Sequence, residues 1–367
     1  MNTYPLRVIG KRAETDDAAS LILEVPVDLK PAFDYRAGQF ITVVREVDGE
    51  PVARQYSLSS TPDIDEDLRI TVKKVPGGAM SGWLVDTVEV GQTIEVSPPR
   101  GRFFVPLAEP GHVLLLAAGS GIAPLYAIAR QLLLAGLGHR VSLAYGNRNQ
   151  DSIILRDDLE QLARRHGDTV FSMEHVLSRP GPGWNGATGH VDPGFLADRL
   201  SRWRDASPLP LHIYLCGPEG FMDNARECLV AQGVDANAIR HESFDLILND
   251  DENEPDLIVR ADGSEDNPES DVHCERVVAC VGGEECEIVP EEGEPILAAL
   301  LRGGADVPYS CQEGTCSSCI SKVTEGVVKM RPIALKTLQQ SDLDDGLILA
   351  CQARPASRTV RIDFDEL

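Results

Sequence analysis

The chain has 367 residues and a mass of 39.8 kDa, too long for one compact core and suited to two or three domains. Its 43% apolar and 25% charged residues are ordinary globular composition, which excludes wholesale disorder. With 58 Asp and Glu against 34 Lys and Arg, the formal charge of −24 disfavours nucleic-acid and membrane-surface binding and suits a basic patch on a partner protein.

The opening MNTYPLRVIGKRAETDD lacks the apolar core of a secretory signal, so a cytoplasmic location is expected. The nine cysteines are then expected to be reduced, with metal or redox roles ahead of disulfides. Over residues 1–108, the runs Phe40–Val44, Leu68–Val75 and Thr93–Val96 alternate with Gly, Pro and Asp turns and predict a small antiparallel barrel. Within it, RQYSLSS at 54–60 offers a cation, an aromatic ring and a hydroxyl. These suit the phosphates, ring face and N5 of a flavin, supplied by Arg54, Tyr56 and Ser57 from one strand face. Taken alone, the same residues also suit a surface Arg, a packed Tyr and a turn Ser. GGAMSGWL at 77–84 follows ITVKK and opens a helix whose free N–H groups suit a pyrophosphate.

Over residues 109–247 the rhythm changes to strand, glycine turn and helix. Val113–Ala118 leads into Leu125–Leu134, Val141–Tyr145 into Arg156–Arg164, and His212–Cys216 into Phe221–Ala231, which predicts a parallel sheet with helices on both faces. The apolar stretch Val113 to Ala129 is broken by Gly119, Ser120, Gly121 and Pro124, so it is read as strand, turn and helix rather than a membrane span. The glycines of AAGSGIAP allow a cofactor phosphate to approach a helix N-terminus, although this is not the full G-x-G-x-x-G pattern. Arg148 in YGNRN and Arg179 in LSRP are candidates for an adenosine 2′-phosphate, or equally solvated loop charges. NADH and NADPH therefore both remain open.

From Glu242 to Asp271 there are twelve acidic residues and one basic residue, Arg260. Such a stretch buries too little apolar surface to offset its ordering entropy, so residues 248–271 are read as an acidic linker, within which Leu257-Ile258-Val259 could pair as a short strand. Over residues 272–367, Cys311, Cys316 and Cys319 have four and two residues between them, and Cys351 follows after 31 more. That quartet suits a 2Fe–2S cluster held by one tight loop and one distant ligand; zinc is the rival, but its short spacings usually come as matched C-x-x-C pairs. Cys274, Cys280 and Cys286 are read as small half-buried residues of edge strands.

The cysteine loop, the hairpin Arg276–Val289, the helix near Pro295 and LACQARP around Cys351 resemble a plant-type 2Fe–2S ferredoxin, a β-grasp domain of α+β class. The region before the linker resembles the ferredoxin–NADP reductase family. Its R-x-Y-S pattern falls on Arg54, Gln55, Tyr56 and Ser57, and its G-x-x-S pattern on Gly78, Ala79, Met80 and Ser81. By this resemblance these residues, with Thr71, Val72 and Lys73, bind FAD, with FMN as the alternative. The G-[ST]-G-I-A-P run, Gly119, Ser120, Gly121, Ile122 and Pro124, is the pyridine-nucleotide loop by this resemblance, and the C-G-P segment Cys216, Gly217 and Pro218 sets Cys216 against the nicotinamide. Without the resemblance Cys216 is simply a buried strand residue. Phe244 either covers the flavin or is an ordinary core residue.

The domain order is similar to that of reductase components of multicomponent oxygenases, including those of 3-ketosteroid 9α-hydroxylase and phenylacetyl-CoA epoxidase. The resemblance implies electron transfer from NAD(P)H through FAD and the cluster to a terminal oxygenase, with catalytic roles for Ser57 and Cys216. A redox-sensing regulator, a stand-alone diaphorase and a binding module with vestigial cofactors are the other readings.

Overall fold

The computed structural model describes residues 3–47, 49–105, 109–242, 255–261, 274–309, 311–312, 314 and 317–366, which fall into two compact units divided after Glu242. The first unit opens with β1 (Tyr4–Thr15), β2 (Ala18–Glu24), β3 (Phe40–Val47), β4 (Glu50–Ser57), β5 (Leu68–Lys73), the short helix α1 (Ala79–Gly82) and β6 (Thr93–Val96). The strands form one antiparallel sheet in the order β4-β3-β6-β1-β2-β5. A bridge from Leu58 to Ile70 draws the edge strands together, so the sheet closes on itself as the predicted barrel. Leu6, Val8, Leu21, Leu23, Ile41, Val43 and Ile70 fill its interior. In β2, Ile22 points outward between Leu21 and Leu23, which masks the polar–apolar alternation that identifies a half-buried strand. Met80 and Leu84 of α1 and the turn after it plug the barrel.

The chain continues through β7 (His112–Ala118), α2 (Ile122–Leu134), β8 (Arg140–Asn147), α3 (Arg156–His166), β9 (Phe171–Leu177), β10 (Ala187–Thr188), α4 (Pro193–Asp205), β11 (Leu211–Cys216), α5 (Glu219–Ala231) and β12 (Ile239–Glu242). All six strands are parallel, in the order β10-β9-β8-β7-β11-β12. Buried on both faces, β7 sends Val113, Leu115 and Ala117 into the layer with α2 and α3, and Leu114 and Leu116 into the layer with α4 and α5. The helix α4 carries ordinary start signals: Asp192 Oδ1 accepts from Phe195 N at 2.9 Å, and Pro193 occupies the first turn. Arg12 and Arg69 of the barrel reach Asp158 of α3 at 2.8 and 2.9 Å, and Arg130 of α2 pairs with Asp65, so barrel and sheet are joined by charge as well as by packing.

The second unit has β13 (Leu257–Arg260), β14 (Arg276–Val281), β15 (Glu284–Ile288), α6 (Ile296–Arg302), β16 (Ile320–Glu325), β17 (Val327–Met330), α7 (Gln340–Asp344), β18 (Leu347–Leu349), β19 (Ala353–Pro355) and β20 (Thr359–Asp363). A mixed sheet runs β15-β14-β20-β16-β18, with β14 and β20 parallel, beside a small antiparallel sheet β13-β17-β19. Ile296, Leu297 and Leu300 of α6 enter the same core as Val277, Val323 and Val360 of the larger sheet. Leu257–Arg260, inside the stretch read as linker, is a strand of this unit, because it pairs with β17 and buries Val259 in the core. Cys274 is buried, and Cys280 and Cys286 are half-buried; β14, which carries Cys280, is an inner strand rather than an edge. Among the described residues, no helix is long and apolar enough to cross a membrane.

Candidate functional site

Strand order reverses between β7 and β11, and the carboxyl ends of strands at such a reversal leave a crevice. The loop after β7 passes very close to the end of β11: a Cβ on Gly121 would lie 2.0 Å from the Cys216 carbonyl oxygen and 2.7 Å from Gly217 N. Gly217 is equally confined, with Ala118 Cβ 2.9 Å and Phe221 Cδ1 2.8 Å from where its own Cβ would sit. Glycine is required at both positions by lack of room. Gly119 is required for another reason, its φ of +56°.

A cleft of about 510 Å³ opens here, lined in part by Lys73, Gly119, Arg148, Ser152, His190 and Pro218. Arg148 is exposed at its rim, with Nη2 3.7 Å from Asp17 Oδ2. The Arg179 amide donates to the Arg148 carbonyl at 2.7 Å while its side chain is exposed. Ser120 is half-buried, and Ile122 and Pro124 are buried at the start of α2, so those two support the loop from behind. Volume, glycine-lined wall and basic rim together fit a dinucleotide.

On the barrel side, β4 pairs with β3 so that Arg54 lies opposite Val43, Tyr56 opposite Ile41 and Ser57 opposite Phe40. Side chains alternate along a strand, so Arg54 and Tyr56 share one side and Ser57 takes the other. The expectation that all three act from one face is therefore corrected: Ser57, the last residue of β4, turns away from the pair. Arg54 is exposed and donates to the Ala53 carbonyl at 2.8 Å; Gln55 is half-buried. Tyr56 is half-buried, and burial raises its phenol pKa.

Thr71 and Val72 are both buried, on opposite faces of β5. The Thr71 hydroxyl hydrogen-bonds those of Ser20 (2.9 Å) and Ser59 (2.7 Å), and Val72 is in the barrel core, which leaves Lys73 as the residue of that run facing the cleft. In the second motif Met80 is buried and Ala79 exposed. A Cβ on Gly78 would meet Ser81 Oγ at 2.7 Å, and Ser81 Oγ accepts from Val75 N at 3.0 Å. The loop is thus folded tightly by the serine, and α1 begins without a side-chain cap. An uncapped first turn is open to the phosphates of a dinucleotide.

A further polar contact joins the two domains at the carboxyl end of the parallel sheet. Ser57 Oγ donates to Glu242 Oε2 at 2.8 Å, and Glu242 lies beside Cys216 in the parallel register of β12 and β11. Burial of the carboxyl raises its pKa to about 8, only partly countered by the Ser57 hydrogen bond. Glu242 is therefore largely neutral at pH 7. The expectation for this segment named Phe244, as a flavin cover or an ordinary core residue; Phe244 lies outside the described residues.

In the second unit, Cys319 and Cys351 are buried and Cys311 is half-buried; Cys316 lies outside the described residues. The Cys351 thiol is hydrogen-bonded to Cys319, which lowers its pKa, and Cys311 is near enough to oppose that shift. The loop that brings them together bends through left-handed backbone at Gln312 (φ +60°), Gly314 (+81°) and Ser317 (+48°). The Gly314 carbonyl accepts from Thr337 Oγ1 at 2.6 Å, and Gln352 Nε2 donates to the Gln312 carbonyl at 3.1 Å. Three neighbouring sulfurs, with the Gly314 amide bonded to Cys351, fit a thiolate-held cluster.

Three family models match the chain in order: oxidoreductase FAD-binding domain over residues 5–105, oxidoreductase NAD-binding domain over 115–227, and 2Fe-2S iron-sulfur cluster binding domain over 280–356. The chain is 36% identical over 361 residues to the 3-ketosteroid-9-alpha-monooxygenase ferredoxin reductase component of Mycobacterium tuberculosis (strain CDC 1551 / Oshkosh), covering 96% of this chain and 93% of that protein. It is 32% identical over 378 residues to one of the subunits of the 1,2-phenylacetyl-CoA epoxidase of Escherichia coli (strain K12), covering 100% and 99%. Among solved structures, the Amycolatopsis cytochrome P450 reductase GcoB matches at 26% identity and a TM-score of 0.56, over 66% of this chain and 70% of that one.

Proposed function

This chain belongs to the family of ferredoxin reductase components of multicomponent oxygenases, and from that premise we propose that its acceptor is a terminal oxygenase and that the residues gathered at the two sites hold the cofactors that feed it. The chain is an NAD(P)H-dependent oxidoreductase carrying FAD and one 2Fe–2S cluster, and it passes electrons from NAD(P)H along that route. The relatives' own designations as parts of a monooxygenase and an epoxidase support the oxygenase acceptor. A cytoplasmic location belongs to the same reading.

When bound, the flavin supplies the conversion of a two-electron donation into the single electrons that a cluster accepts. The rest is done by the chain. Gly119 and Pro218 would line the nucleotide's path, with Gly121 and Gly217 allowing the close approach of loop and strand behind it, and Cys216 at the end of β11 would be the residue nearest the nicotinamide. Arg54, Tyr56 and the turn Gly78–Ser81 would hold the flavin, with Gln55, Thr71 and Val72 contributing backbone, and Lys73 would meet the nucleotide in the cleft it faces. Ser57 is oriented by Glu242, and because Glu242 is largely protonated it places little negative charge where electrons arrive. Cys311, Cys316, Cys319 and Cys351 would hold the iron as thiolates.

The observation that carries the reading is the Ser57–Glu242 hydrogen bond, which joins the barrel motif to the carboxyl end of the nucleotide sheet beside Cys216. Anaerobic titration of the purified chain with NADH and, separately, NADPH tests it. Flavin absorbance and then cluster absorbance should bleach with at least one nucleotide, and the reduced protein should reoxidise on adding an oxygenase component. Bleaching with neither nucleotide would overturn the reading, and reoxidation by dyes alone would leave a diaphorase.

A further inference from the structure

Glu14, near the end of β1, contacts no part of the nucleotide cleft, yet it holds the backbone of the segment that lines it. Its carboxylate is 5% exposed. Oε1 accepts from Arg12 Nη2 at 2.7 Å, Arg12 Nε at 2.9 Å and the Ser20 hydroxyl at 2.6 Å. Oε2 crosses from barrel to sheet and accepts from the backbone N–H of Leu155 at 3.1 Å.

Leu155 is where an anchor is needed. It is a buried non-glycine residue with φ +55° and ψ +29°, the left-handed conformation that L side chains avoid, and no side-chain cap secures the start of α3 there. The segment from the end of β8 to Leu155 supplies Asn147, Arg148 and Ser152 to the cleft. Its early part is fixed from within its own domain. Asn149 and Ser152 cap each other, Gln150 Oε1 accepts from Gly181 N at 2.8 Å, and the Asn147 carbonyl accepts from Ser178 N at 3.0 Å. Its exit, at the strained residue, is hydrogen-bonded by the flavin barrel.

We propose that Glu14 is a positioning residue for the nucleotide cleft, acting through the Leu155 amide to hold residues 147–155 in their binding conformation. The inference rests on the reading of the cleft as the NAD(P)H site. It makes nucleotide affinity depend on a residue of the other domain. It differs from a general role in docking the two domains, which the Arg130–Asp65 pair also serves.

The test uses the full-length, flavin-loaded chain, with NAD+ and NADP+ as oxidised probes. Glu14→Gln keeps the shape, but an amide cannot accept on both sides and must turn its NH2 group toward either Leu155 N–H or Arg12. Expected is a Kd raised on the order of tenfold for the nucleotide that the unaltered chain binds, as for loss of one charge-assisted hydrogen bond. KM should rise in step while kcat stays within about twofold, with flavin content unchanged and faster amide hydrogen exchange confined to 147–155. Glu14→Asp, which keeps the charge and shortens the reach, should give the same rise and stands in if Glu14→Gln does not fold. Asp65→Asn, which breaks a separate bridge between barrel and sheet, should leave Kd unchanged. An unchanged Kd in both Glu14 variants, or an equal rise in Asp65→Asn, would overturn the proposal alone. If the unaltered chain binds neither nucleotide, the reading of the cleft falls and takes the proposal with it.

Discussion

The Ser57 hydroxyl donates to Glu242 over 2.8 Å, joining residues 185 positions apart in the chain. Because burial lifts the Glu242 pKa from 4.5 to about 8, the folded chain binds more protons than the unfolded chain between those values. Stability therefore falls as pH rises across that window and levels off above it. Glu242→Gln removes the titration, so the decline in Tm of the flavin-containing unit between pH 5 and 8 should shrink by roughly 3–6 °C, a value discounted for solvent reaching the partly exposed residue. The rate of reduction by NAD(P)H should hold to about pH 8 and fall above it in the unaltered chain, and it should be flat in the variant. Identical pH profiles in the two proteins would refute a neutral Glu242.

Gly121→Ala tests the close approach at the strand reversal. The added methyl would sit 2.0 Å from the Cys216 carbonyl oxygen, and backbone cannot swing aside as a side chain can. The loop or the end of β11 must shift, at a cost of about 1–3 kcal/mol. Cys216 then moves relative to both the nucleotide and Glu242. Calorimetry should show the lower stability, and nucleotide affinity should fall with it. Gly220→Ala, where no protein atom lies within 4 Å of the new methyl, should not lower stability.

The features legible in the sequence are those written in local order. The strand–glycine–helix rhythm and the glycines of 117–124 each depend on neighbours within one loop or turn, and the structure builds them as read; of the cysteine quartet, Cys311, Cys319 and Cys351 fall among the described residues. Tertiary choices were not legible. Glu242 looks like one more acid beside an acidic stretch, and only the parallel pairing of β12 with β11 brings it to Ser57. Ser57 itself follows Arg54 and Tyr56 so closely that the motif reads as one face, whereas strand alternation separates it from them. Ile22 faces outward, and Thr71 on that same outer face is nonetheless buried, bonded to the Ser20 and Ser59 hydroxyls, so composition alone conceals one strand of the barrel and misplaces the contacts of another.

Cys351→Ser separates the two electron-transfer stages. Cys351 belongs to the unit after Glu242, whereas the barrel and parallel sheet form the other unit, so losing the cluster should leave the flavin in place. Iron and sulfide content and the visible bands of the cluster should fall, with NAD(P)H-dependent ferricyanide reduction kept within about twofold and cytochrome c reduction lowered on the order of tenfold or more. Retention of iron in Cys351→Ser would remove this residue from the ligand set.

Leu257–Arg260 sits in a stretch whose acidity argues for a linker, yet Val259 is 1% exposed and packs in the core of the second unit. The acids flank the strand, and its three apolar residues suffice for pairing because β17 offers a complete antiparallel partner, from Leu257 opposite Met330 to Arg260 opposite Val327. Val259→Asp would force a carboxylate into that core, at a cost of roughly 3 kcal/mol or more. In a full-length chain whose units unfold separately, the transition followed by cluster absorbance should move down and the one followed by flavin fluorescence should stay. Val259→Thr, nearly the same shape with one hydroxyl, should produce the same pattern at smaller amplitude. If neither variant moves the cluster transition, residues 257–260 contribute nothing to the second unit and behave as linker.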